Sequence, residues 1–204
     1  MLFEQKNYSS GAFYQLMIQS IVPRPIAWVL SRNPNGTFNV APFSFFNGVA
    51  SEPPLLMISV GWKDETTQKD TWVNVDERNE FVVHIPPADM AEAMVATSKT
   101  LPLGESEIDF AKLETVSVDG QTLPRLSGPR VAMFCRKHKI IELGTERMGM
   151  IIGEITAIWA DDEAVRMEGR RAHIDARKID PVARLGGLQY GFLGDIKNID
   201  RPSR

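Results

Sequence analysis

Between Asn33 and Trp62 the chain carries a single charged side chain, Glu52. Asn33, Asn35, Asn39, Asn47, Ser44, Ser51 and Ser59 stand there among Phe38, Phe43, Phe45 and Phe46. A core strand is less polar than this, and a surface loop is more charged. Aromatic surface, amides, hydroxyls and open backbone together suit a pocket for a flat ligand that hydrogen-bonds along its edge. The same residues also suit two strands joined by a Pro-rich turn, with the phenylalanines filling the core.

Downstream, Lys69-Asp70-Thr71 stands where a short helix is expected to begin. Free backbone N–H groups and the positive end of the helix dipole attract an anion at such a place, and Lys69 adds a point charge suited to phosphate. Asp70 or Thr71 as a plain N-cap accounts for the same spacing. Near the other end, Pro181-Val182-Ala183-Arg184-Leu185-Gly186-Gly187 leads to Tyr190 and sets one cation beside open backbone. The glycine spacing is not that of a dinucleotide fingerprint, so a turn with a surface arginine is the alternative there.

Side chains able to do chemistry unaided are scarce. His84, His138 and His173 are the histidines, and Cys135 with His138 makes a two-residue fragment where zinc needs three or four ligands. No Gly-x-Ser-x-Gly elbow is present, and Cys135 lies in an apolar run where a thiol is inert. No pair of carboxylates is placed to act across a bond. An enzyme built on this chain would borrow its reactive group.

The elements that must position these residues are mostly strands. Ile26–Ser31, Leu55–Val60, Phe81–Ile85, Val131–Leu143 and Met148–Trp159 are rich in branched and aromatic residues and are bounded by Pro, Gly or Asn. In the last, Ile151, Gly153, Ile155, Ala157 and Trp159 are expected on one face. Helical spacing is confined to about Thr71–Arg78 and Asp89–Thr97, and Leu101–Ser127 reads as a long excursion with weak structure. Without regular βα alternation, the expectation is a mainly β chain, an antiparallel barrel with short peripheral helices, in one domain over residues 1–204.

Composition agrees with an ordinary globular chain: 204 residues, 43% hydrophobic and 24% charged. A net charge of -3 with no long basic block argues against nucleic acid and acidic membranes as partners. No run of 18 apolar residues occurs, and the first 23 residues lack the apolar core of a secretory signal, so a cytoplasmic location is expected.

Taken in order, Pro23-Arg24-Pro25-Ile26-Ala27-Trp28-Val29, Gly36, Asn39, Ala41-Pro42-Phe43-Ser44-Phe45-Phe46-Asn47, Pro53-Pro54, Ser59, Lys69-Asp70-Thr71 with Asn74, Glu80-Phe81-Val82-Val83, and Pro181 to Gly187 with Tyr190 form a recognisable set. It resembles the flavin reductase-like, FMN-binding split-barrel family, in particular its flavoredoxin-like branch. The resemblance implies a Greek-key split β-barrel that forms a homodimer, with one FMN per subunit at or near the interface.

It further implies that the backbone and hydroxyls of Ala41, Pro42, Phe43, Ser44, Phe45 and Phe46 follow the flavin ring and ribityl chain. Ser59 would add a hydroxyl. Lys69, Asp70 and Thr71 would hold the phosphate, Asp70 through position only, with its carboxylate turned away to cap the helix or to pair with Lys69 or Arg184. Arg184 would stand near the cofactor or between subunits. The implied activity is hydride or electron transfer between NADH or NADPH and flavin or a later acceptor, with the protein holding the flavin and leaving one face open. An FMN-binding electron carrier acting with a redox partner protein, or a barrel that has lost its cofactor and serves as an interaction module, are the alternatives. Ser31-Arg32 replaces the Ser-Thr of many members, His84 an Asn and Trp159 a His, departures that bear on the donor and acceptor. Arg32 is expected to be solvated, the alternative being a place by the phosphate.

Overall fold

The computed structural model describes residues 1–102, 105–144 and 147–202. Seven strands make the main sheet: β1 (Ala27–Arg32), β2 (Phe38–Phe43), β3 (Phe46–Ser51), β4 (Pro54–Gly61), β5 (Glu80–His84), β6 (Val131–Leu143) and β7 (Met148–Ala160). Their order across the sheet is β2-β1-β5-β6-β7-β4-β3, and every pairing is antiparallel.

The order dictates the shape. β2 and β3 are opposite edges of the sheet, yet only Ser44 and Phe45 separate them. That link reaches about 10 Å at most when extended. Seven strands laid flat would hold their edges roughly 29 Å apart. The sheet therefore curls into a split barrel, and the Phe45 carbonyl accepts from the Ser59 amide at 2.9 Å where the two edges meet.

Alternation sorts the side chains into two cores. Ala27, Val29, Phe43, Leu56, Ile58, Val60, Phe81, Val83 and Ile151 fill the barrel. Trp28, Leu30, Val40, Val82, Ala132 and Phe134 face outward and are buried beneath Met94, Ile108, Leu123 and Leu126. β1 is buried on both faces, which explains its unbroken apolar run.

β7 departs from strict alternation. Opposite β6, Ile155 pairs with Cys135 and Ala157 with Phe134, so Thr156 is bulged. Ile151 and Ile155 face the barrel, whereas Ala157 and Trp159 pack on the outer core. The single face expected for Ile151 through Trp159 is thus corrected: one extra residue turns the last part of the strand over.

The helices are α1 (Ser10–Ser20), α2 (Asp70–Arg78), α3 (Ala91–Ala96), α4 (Glu107–Ala111) and α5 (Ala176–Ile179). The 101–127 excursion holds α4 and the small antiparallel pair Thr115–Val116 with Arg125–Leu126, while residues 103 and 104 lie outside the described residues. Arg24–Pro25, Ala183–Arg184 and Tyr190–Gly191 make a separate three-stranded sheet. Among the described residues no helix is long and apolar enough to cross a membrane.

Candidate functional site

The site is built around α2. Trp72 and Val75, three apart on one helix face, enter the barrel core. Gly149 on β7 makes room for the Trp72 ring, which a Cβ there would overlap. A second seam on the helix is polar. Asn39 Nδ2 donates to Thr71 Oγ1 at 2.9 Å, and Asn74 Nδ2 donates to Ser31 Oγ at 3.1 Å and Asn33 Oδ1 at 2.9 Å. These five residues are buried, so the network fixes how the helix sits on β1 and β2.

The N-terminus of α2 is left open. Lys69 is the N-cap residue, and its side chain makes no capping bond. Its carbonyl accepts from the Trp72 and Val73 amides, while the Asp70 and Thr71 amides have no acceptor among the described residues. This corrects the expectation that Asp70 or Thr71 is the N-cap. A second correction concerns the partner of Asp70. Its carboxylate pairs with Lys63, whose Nζ lies 2.8 Å from both oxygens, and not with Lys69 or Arg184.

Lys63 reaches Asp70 because the chain doubles back. Asp64 Oδ1 accepts from the Thr66 and Thr67 amides at 2.8 and 2.9 Å, an Asx turn, and Trp62 pairs with Gln68. Opposite stands the segment after α3. The Trp28 indole donates to Thr97 Oγ1 at 2.9 Å and holds it against the barrel. Glu107 of α4 accepts from the Val40 amide at 3.0 Å, covering the open edge of β2.

Together these elements border a small cleft open to solvent, walled by Asn39, Ala41, Lys63, Lys69–Thr71, Thr97–Leu101 and Glu107. Three lysines, Lys63, Lys69 and Lys99, face it. Burial and, second, the charge of Lys63 hold the Lys69 ammonium below the ordinary lysine range. Among the described residues Lys69 has no carboxylate partner, its nearest aromatic neighbour being the Phe43 ring 5.7 Å away. Burial raises the Glu107 carboxyl above the ordinary range, partly offset by the Val40 hydrogen bond. Thr71 accepts from Asn39, and its own hydroxyl hydrogen has no acceptor among the described residues although the residue is 1% exposed. Two free amides, a hydroxyl donor and an unpaired ammonium converge on one corner, the donor set an anion needs.

The other expected site residues divide. Ala41 joins Lys69, Asp70 and Thr71 in the cleft, whereas the Phe43 ring is part of the barrel core. Pro42, Ser44, Phe45 and Phe46 are half-buried along the crossing between edges. Phe46 packs on the inner core, while Phe45 lies edge-on to Tyr14 at 6.5 Å. Ser59, also half-buried, is on the outward face of β4, between the inward Ile58 and Val60. Arg184 does not line the cleft. It donates to the Gly187 carbonyl, stacks 4.5 Å over Tyr190 and pairs in register with Arg24. Arg24 is buried and donates to the Ile18, Ile21 and Leu185 carbonyls, tying α1 to the C-terminal turn.

Arg32 lies outside the cleft and stays partly exposed to solvent, donating to the Thr122 carbonyl at 2.7 Å and covering the Phe38 ring. His84 is fully buried between the Trp28 carbonyl and the Leu126 amide, 3.0 and 2.9 Å from its two ring nitrogens. Donating through Nδ1 and accepting through Nε2 fixes one neutral tautomer, and burial lowers its pKa to about 4.

The sequence reading did not find Lys63, Lys99 or Glu107. Only the Asp64-x-Thr66-Thr67 turn signal hinted that Lys63 returns toward α2.

The sequence profile described as flavin reductase like domain matches residues 19–177. Protein BH2278 of Halalkalibacterium halodurans is 37% identical over 194 residues, covering 93% of this chain and 91% of that protein. Among solved structures, nitrilotriacetate monooxygenase component B from Bacillus cereus superposes with a TM-score of 0.88 at 32% identity, covering 98% of each chain. The 2-nitrobenzoate 2-nitroreductase NbaA of Pseudomonas fluorescens gives 0.88 at 30% identity, covering 99% of this chain and 96% of its own.

Proposed function

The chain belongs to the flavin reductase-like family, and on that premise we propose that it is an FMN-holding oxidoreductase working as one domain. In this reading it would support transfer of hydride or electrons between NADH or NADPH and flavin or a downstream acceptor. The observation that carries the reading is the α2 corner. Asp70 is neutralised by Lys63, so Lys69, the two free amides and the Thr71 hydroxyl remain to meet a phosphate dianion. Asn39 and Ala41 then lead from that corner to the Pro42–Phe46 crossing, whose backbone and hydroxyl would meet the ribityl chain and ring edge.

When bound, FMN would supply hydride and electron chemistry, for which the described side chains form no cluster. The protein's part is to anchor, orient and shield. Lys69 would offset part of the phosphate charge and Thr71 would donate to it, while Trp72 and Val75, packed in the barrel core, hold α2 in place. The two solved relatives at 32% and 30% identity, a monooxygenase component and a nitroreductase, support a redox role. A homodimer is part of the proposal. Tyr14, Met17 and Ile21 on and beside α1, with Val49 on β3, are exposed apolar residues that a second copy would cover.

The test is direct. Protein mixed with FMN is expected to quench its fluorescence, and NADH or NADPH added without oxygen to bleach the bound flavin absorbance. Binding without bleaching by either donor would identify a carrier that needs a redox partner protein. A protein that neither colours nor quenches would be an interaction module, and the reading would be wrong.

A further inference from the structure

We propose that Lys63 is the positioning residue for the phosphate corner, acting through Asp70 and setting the preference of the site for a phosphorylated flavin over an uncharged one. The inference rests on the functional reading above and adds a residue to it.

Asp70 presents a difficulty that the ion pair resolves. A carboxylate in the first turn of a helix is drawn to the helix's own free amides, where it competes with any incoming anion. It also repels a dianion at short range. In this structure both Asp70 oxygens are engaged by the Lys63 ammonium at 2.8 Å, with the two side chains 6% and 13% exposed. The Asp70 and Thr71 amides are thereby left free.

The charges facing the cleft come from four elements: Lys63 on the 62–68 hairpin, Lys69 and Asp70 at the start of α2, Lys99 after α3, and Glu107 on α4. Lys99 also lies 4.4 Å over the Phe110 ring. With Lys63 present, Asp70 is cancelled and Lys69 faces the corner unopposed. Without Lys63, Asp70 and Glu107 together balance Lys69 and Lys99, and the cleft loses its attraction for an anion. The hairpin therefore controls the affinity of a site it does not itself line with amides or hydroxyls.

The experiment compares FMN with riboflavin, which lacks the phosphate, by fluorescence quenching at fixed ionic strength. Wild type is expected to bind FMN more tightly than riboflavin. Asp70→Asn should raise the FMN-to-riboflavin affinity ratio by about three- to tenfold, and Lys63→Met should lower it by about tenfold. The double variant should return near wild type, and Lys63→Arg should keep the wild-type ratio. Asp70→Asn retains a carbonyl acceptor for Lys63, so it carries the test even if Lys63→Met does not fold. A purely structural pair would change both flavins alike, and a ratio that Asp70→Asn leaves unchanged or lowers overturns the inference. Wild type binding both flavins equally overturns it too, with the flavin reading intact. Wild type binding neither flavin overturns the functional reading, and the inference falls with it.

Discussion

The outer edge of the Trp72 indole fills the space that a side chain on Gly149 would need, so helix α2 and strand β7 are fitted to one another at a position with no spare volume. The ring is 3% exposed and belongs to the barrel core, whereas the next residues toward the helix start form the corner assigned to the phosphate.

Gly149→Ala is expected to push Trp72 out of its seat and shift α2. Overpacking of this kind costs about 1–3 kcal/mol. Denaturant unfolding should show that loss, and FMN affinity should fall with it because the shifted residues carry Lys69 and Thr71.

Lys69→Met is expected to weaken FMN binding by roughly ten- to a hundredfold through loss of a charge-assisted contact, with little change for riboflavin. Thr71→Ala differs. It removes the acceptor of Asn39 Nδ2, so a folding loss of about 1–2 kcal/mol should accompany the weaker binding. Titration and unfolding measured on both variants separate the two effects.

His84 should make the fold acid-sensitive. Its pKa is lowered to about 4 by burial against an ordinary value of 6.5. Between those values the unfolded chain binds a proton that the folded chain excludes. Stability therefore rises with pH across the window and is lost as pH falls through it, by on the order of 3 kcal/mol in all. Urea midpoints measured from pH 7 to pH 4 should show the decline, and it should flatten in His84→Gln.

Burial pushes the Cys135 thiol well above the ordinary cysteine range. A soluble aromatic disulfide reagent is expected to leave it unmodified in the folded protein and to react with it fully in denaturant. Fast labelling of the native chain would contradict the closed barrel wall at that point.

Much of the barrel was legible because buried strands carry their own signal. Val131–Leu143 has the bounds read from its branched residues, and the start of α2 differs from the reading by one residue, Asp70. The edge strands were legible only as one of two readings of the 33–62 stretch, a strand pair joined by a Pro-rich turn, which β3 and β4 bear out without bounds having been read for β2 or β3. Phe38–Phe43 contains a proline, and Phe46–Ser51 is exposed along nearly all its length, so neither shows a clean period of two. Helix α1 was missed for a related reason: Ile18 is its one buried residue, and its other apolar side chains do not mark an inward stripe. At the site, Lys69-Asp70-Thr71 was readable because a helix start is a local feature. Thr97, Lys99 and Glu107 arrive through the contacts of Trp28 and Val40 with distant segments, and Lys63 through a hairpin between β4 and α2. The first three juxtapositions are tertiary and no spacing in the chain encodes them, whereas for Lys63 the local turn at Asp64 was the one available signal.

Ser44 and Phe45 form the clasp of the cylinder, and the clasp has no slack. A chain of this design can grow a longer hairpin near Lys63 or a different flap after Leu101 to suit a new guest, since both hang outside the closed wall. One residue added to the clasp would instead shift β3 and its partner β4 against the end of β2, while Asn39 and Ala41 keep their facing through the pairing of β2 with β1. Variety in what such a vessel accepts is therefore easier to build at its rim than at the two-residue fastening, where a change is felt by both edges at once.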